Sequence, residues 1–80
     1  MLANLKHAKK VVGIKQARRA INKDEAQTVY VAEDAEPRLV QDVIDLCKEK
    51  SIEIIYVSSM RELGKACGID VNAAVAAVLK

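Results

Sequence analysis

Gly13 stands directly before Ile14, Lys15 and Gln16, with Arg18 and Arg19 one helical turn further on. Ala17, Ala20 and Ile21 recur at i, i+3 and i+4 and mark one apolar helix face. That phase sends Lys15, Arg18, Arg19 and Asn22 to the other sides of the same helix. A glycine ahead of a helix permits a sharp turn and a close approach of backbone to whatever lies outside. The first amides of the helix, at Ile14, Lys15 and Gln16, have no intrahelical partner and sit at its positive end, so a phosphate is favoured there. Lysine adds a charged donor, glutamine a donor and an acceptor, and arginine a fork that fits a phosphate or a base edge. This is chemistry for holding an anion, not for breaking a bond.

Charge runs the same way along the chain. Through Lys23 there are seven Lys/Arg and no acid; beyond it there are six against eleven acids, so the two parts carry +7 and −5. The ordinary reading of basic residues on a helix is a solvated face. Twenty-three residues without one acid argue against it, because surface helices normally mix the signs, and they point to a polyanion. At least one of Lys9, Lys10 and Arg18 is expected to meet backbone phosphate.

Catalytic candidates do not rise above background. His7 has no nucleophile or acid near it in sequence and reads as a surface residue. Ser58 and Ser59 read as helix-cap residues. Glu33, Asp34 and Glu36 form one acidic loop, for which a solvated state is expected and no metal. No phosphate loop or dinucleotide fingerprint is present. Cys47 and Cys67 stand apart without a Cys-x-x-Cys pair, which suits two buried, reduced thiols rather than zinc. No cofactor is expected. Neither a leader-like segment nor a span of about 20 apolar residues is found, so a soluble cytoplasmic protein is the expectation.

The elements that must position the donors follow from pattern. Eighty residues suit one domain, residues 1–80, and about half are apolar. There is no Phe or Trp and only Tyr30 and Tyr56, so the core must be Val, Ile, Leu and Ala. That scarcity argues against exposed aromatic platforms for stacking bases as the binding device. The leading segment is expected to be helical with Leu2 and Leu5 inward, and Val11-Val12 a minor strand. Residues 28–32 are β-branched without alternation, as in a central strand. Pro37 fits a first helical turn, and Leu39, Val40, Val43, Ile44 and Cys47 make its apolar stripe. Residues 52–57 are the next strand. Ser59 and Glu62 form a capping box, and Gly68 ends that helix. Residues 69–72 are a loop; 73–79 suit a helix by alanine propensity or a buried strand by Val75, Val78 and Leu79. The order predicts a three-layer α/β/α sandwich around a mixed sheet of about four strands.

Three stretches together, Gly13-Ile14-Lys15-Gln16-Ala17-Arg18-Arg19, Ala32-Glu33-Asp34-Ala35-Glu36-Pro37 and Leu63-Gly64-Lys65-Ala66-Cys67-Gly68-Ile69, resemble the ribosomal protein L7Ae family, in particular its small bacterial members of the YbxF type. The resemblance covers essentially the whole chain. It implies an α/β/α sandwich that binds RNA kink-turns, whose helix after the glycine meets tandem sheared G·A pairs. The loop before the final strand covers a flipped-out nucleotide. Archaeal and eukaryotic members have Gly-x-Asn-Glu and a later Lys where this chain has Lys15, Gln16 and Arg19, the bacterial Gly-x-Lys-Gln form.

The resemblance thus implies RNA contacts at Gly13, Ile14, Lys15, Gln16, Arg19, Glu36, Ile69, Asp70, Val71 and Asn72. Glu36 falls either near the extruded base or simply at a helix N-terminus as a favourable charge. The expected partner is RNA containing kink-turns, in ribosomal RNA or a structured messenger RNA leader, with a place on the ribosome and a monomeric state. The alternative is a protein-interaction module on the same fold, using the acidic helix from Pro37 to Lys50. An enzyme finds no residues to nominate it.

Overall fold

The computed structural model describes residues 2–80, with side chains described from Leu5 onward. A 3-10 turn, Leu2–His7, precedes β1 (Lys10–Val12), α1 (Ile14–Asn22), β2 (Ala26–Ala32), α2 (Pro37–Glu49), β3 (Glu53–Val57), α3 (Met60–Cys67) and β4 (Val75–Leu79). The strands lie in the order β1-β4-β2-β3, with β2 and β3 parallel and β4 antiparallel to both its neighbours. α1 and α2 pack on each other over one face of the sheet, and α3 with the 3-10 turn covers the other. The sequence-predicted three-layer sandwich with a mixed four-stranded sheet is therefore the fold.

Local chemistry explains most of the elements. β2 lies between β4 and β3, and its residues from Val29 to Ala32 are all buried, as a strand covered on both faces must be. Pro37 occupies the first turn of α2, and Val40, Val43 and Cys47 point inward. Ser59 Oγ accepts from Glu62 N–H at 3.0 Å, and Gly68 closes α3 in the left-handed region at φ +79°. Only this half of the expected capping box is seen among the described hydrogen bonds. Met60 N–H, the next free amide at this helix start, donates to Asp34 Oδ1 at 2.7 Å, which ties the start of α3 to the acidic loop.

One open alternative is resolved and one expectation changes. Residues 75–79 are a strand: β4 has hydrogen-bonding neighbours on both sides, and that outweighs the helix propensity of its alanines. Ala76 and Ala77 are fully buried, where small side chains let both helical layers approach. Leu39, expected in the core stripe of α2, is instead 54% exposed. It lies about 100° round the helix from Val40, on the flank of the buried stripe. Leu5 is buried as expected, while the side chain of Leu2 lies outside the described residues. Cys47 and Cys67 are buried free thiols, and burial pushes both above the ordinary thiol pKa.

Candidate nucleic-acid interface

Four loops meet at one end of the sheet. Gly13 N–H donates to the Val75 carbonyl at 2.9 Å, joining the turn after β1 to the start of β4. Ala32 N–H reaches the Ala74 carbonyl at 2.9 Å, and Glu33 N–H reaches the Val57 carbonyl at 2.7 Å. Ala73 N–H donates to the Met60 carbonyl at 3.1 Å. The Gly13 turn, the acidic loop, the corner before α3 and the stretch before β4 thus form one rim, at the C-terminal ends of β1, β2 and β3.

Gly13 has φ +117°, a conformation that disfavours any L side chain, and a Cβ there would run into Gln16 Oε1. Its carbonyl accepts the first helical bond, from Ala17 N–H at 2.9 Å, and no side chain caps α1. The amides of Ile14, Lys15 and Gln16 are therefore left facing outward from the helix. Ile14 is partly buried against the core, so it offers backbone more than side chain. Lys15, Gln16 and Arg19 are exposed. Together with Arg18, Asn22 and Lys23, Lys15 and Arg19 line a single basic hollow along α1.

The 69–72 loop is shaped by the two glycines of α3. Gly68 turns the chain at the helix end, and a Cβ at buried Gly64 would strike the Val71 carbonyl. Without that side chain the loop lies directly on α3. Ile69 packs partly into the core, whereas Val71 is 66% exposed and Asp70 and Asn72 face outward. These four residues line a hollow of about 300 Å³ together with Arg61 and Lys65. Sequence reasoning passed over Arg61 and Lys65; the signal available was their i, i+4 spacing on the outer side of α3.

Other expected members are arranged differently. Glu36 stands at the head of α2 and holds Arg38 through Oε1 at 2.8 Å; it does not line the 69–72 hollow. Arg18 Nη1 pairs with Asp42 Oδ2 at 3.6 Å. Lys10 Nζ donates to the Lys6 carbonyl at 2.9 Å. Lys9 lies at the opposite end of the sheet, in a hollow with Asp24, Glu25 and the C-terminal strand. The acid-free segment of the sequence is thus divided between two ends of the fold. Among the described residues no group of three or more His, Cys, Asp or Glu converges as a metal site, and no helix is long and apolar enough to cross a membrane.

The model of the Ribosomal protein L7Ae/L30e/S12e/Gadd45 family matches residues 2–80. This chain belongs to that family. As a member, it is 51% identical over 70 residues to RNA-binding protein BH0128 of Halalkalibacterium halodurans, covering 88% of this chain and 85% of that one. It is 42% identical over 76 residues to RNA-binding protein YbxF of Geobacillus stearothermophilus, covering 95% and 93%. Among solved structures, the Giardia lamblia 15.5kD RNA binding protein superposes with a TM-score of 0.90 at 29% identity. That match covers 99% of this chain and 70% of the other. The curated relatives of this L7Ae-family chain are named for RNA binding, not for a reaction.

Proposed function

We propose that this chain is an RNA-binding protein that recognises kink-turns, in ribosomal RNA or a structured messenger RNA leader, as a monomer associated with the ribosome. One observation carries the reading: an uncapped basic helix start and an exposed apolar loop share one rim of the sheet. An ordinary A-form major groove is too narrow and deep for side chains to read. A kink widens it, so that Lys15 and Gln16 can reach guanine O6 and N7 while the free amides and Arg19 meet phosphate. A base turned out of the stack needs an apolar seat, and Val71 beside Ile69 supplies one without a hydrogen bond.

The test compares a kink-turn RNA with the same RNA whose sheared G·A pairs are replaced by Watson–Crick pairs. Tight binding to the first and weak, salt-sensitive binding to the second is the expected result. Equal affinity for both at the same ionic strength refutes recognition of the kink and leaves only charge attraction.

A further inference from the structure

We infer that Arg61 and Lys65 clamp the phosphates flanking the nucleotide that rests on Val71, a set of backbone contacts on α3 separate from those of α1. The inference rests on the kink-turn reading and adds to it a second strand-holding site.

The geometry begins at Gly64. Because it has no side chain, the Val71 carbonyl lies against α3, and the 69–72 loop is brought beside the face that carries Arg61 and Lys65. Those two residues are four apart, one turn along the same side of the helix, where neighbouring Cβ atoms stand about 5–6 Å from each other. Both are exposed, both line the hollow that the loop completes, and neither takes part in an ion pair among the described residues. Their charges are therefore available. Arg18 on α1, held by Asp42, differs in this respect.

The chemistry of an extruded nucleotide fits that arrangement. A base out of the stack takes its own two phosphates with it, so a base on Val71 sets a negatively charged strand alongside the loop. The cations of α1 line a different hollow, and α1 and α3 pack on opposite faces of the sheet, so beside this loop the charge comes from α3. Asp70 is the one acid among the residues lining the hollow and opposes an anion there, so a phosphate is held only on the α3 wall, away from that carboxylate. There Arg61 can fork across two phosphate oxygens and Lys65 can act as a point charge on the next phosphate.

The test is a thermodynamic cycle with the full chain. Arg61→Ala and Lys65→Ala are measured against a kink-turn RNA and against the same RNA with neutral methylphosphonate linkages on both sides of the extruded nucleotide. Each substitution is expected to lower affinity for the charged RNA about tenfold and to flatten its salt slope by about one unit. On the neutral-linkage RNA the same substitutions are expected to change nothing, and Arg61→Lys keeps most of the affinity for the charged RNA. Equal losses on both RNAs, or no loss on either, overturn the clamp. Lys15→Ala is the separate control: if it still weakens kink-turn binding when Arg61→Ala does not, the clamp fails while the kink-turn reading stands. Should the wild-type chain not distinguish the kink-turn from its Watson–Crick control, both fail together.

Discussion

Arg18 Nη1 lies 3.6 Å from Asp42 Oδ2, an ion pair that links the basic helix α1 to the acidic helix α2. Arg18 is therefore partly neutralised in the middle of the cation row that ends in Lys23. The pair is exposed, so it stabilises the fold by less than about 1 kcal/mol. Its larger consequence is for binding. Asp42→Asn is expected to release Arg18, strengthen binding to plain duplex and kink-turn alike, and steepen the salt slope by up to about one unit. Arg18→Ala should weaken both by a common factor. An unchanged slope in Asp42→Asn, read by titration over a range of salt, contradicts this.

Lys15 and Gln16 should behave unlike Arg18. As readers of guanine edges, each is expected to cost about 1–3 kcal/mol on a kink-turn when changed to alanine, and much less on a duplex. Gln16→Glu should keep preference for the G·A pairs while weakening non-specific binding, because it removes positive potential and no atoms of the skeleton. Fluorescence titrations on the two RNAs decide the matter: equal factors on both would leave no base reading.

Gly13 and Gly64 separate strain from packing. Gly13→Val places a β-branched residue at φ +117°, at a cost of about 1–3 kcal/mol, and crowds the RNA backbone. The expected result is a folded protein that no longer binds. Gly64→Ala sets a Cβ against the Val71 carbonyl and must displace the 69–72 loop, with about 1–3 kcal/mol lost in denaturant unfolding. Its RNA affinity should fall too. Unaltered stability in Gly64→Ala is incompatible with the close contact between α3 and the loop.

Asp24 supplies an acid-range prediction. Lys50 Nζ donates to its Oδ1 at 2.9 Å, and this bond with the lysine charge holds the Asp24 carboxyl below the ordinary aspartate pKa. A carboxylate with a lowered folded pKa contributes stability that is full above the unfolded value of about 3.9 and is lost as pH falls through the folded value. Asp24→Asn should therefore flatten the decline of stability in the acid range and leave it almost unchanged in shape near neutrality. Thermal unfolding followed from neutral pH down to about 3 checks the sign; an identical acid profile in the two proteins refutes it.

What the sequence determined by itself lies within a few residues of each signal. The apolar period of α1, Pro37 at the head of α2, the Ser59 cap and the Gly68 terminus are local devices, fixed by interactions between near neighbours, and they are present as read. So is the glycine turn that leaves the α1 amides free. The tertiary structure decided everything that depends on a distant partner. Residues 75–79 became a strand because β1 and β2 accept it between them, although alanine propensity favours a helix. Lys9 went to the far end of the sheet and Arg18 to Asp42, so a charge run along the chain did not become one surface. Arg61 and Lys65 joined the 69–72 loop only because buried Gly64 lets the chain fold back onto α3. Periodicity and caps reach about one helical turn; strand partners, ion pairs and hollows are set by which backbones come to lie side by side, and sequence spacing does not measure that.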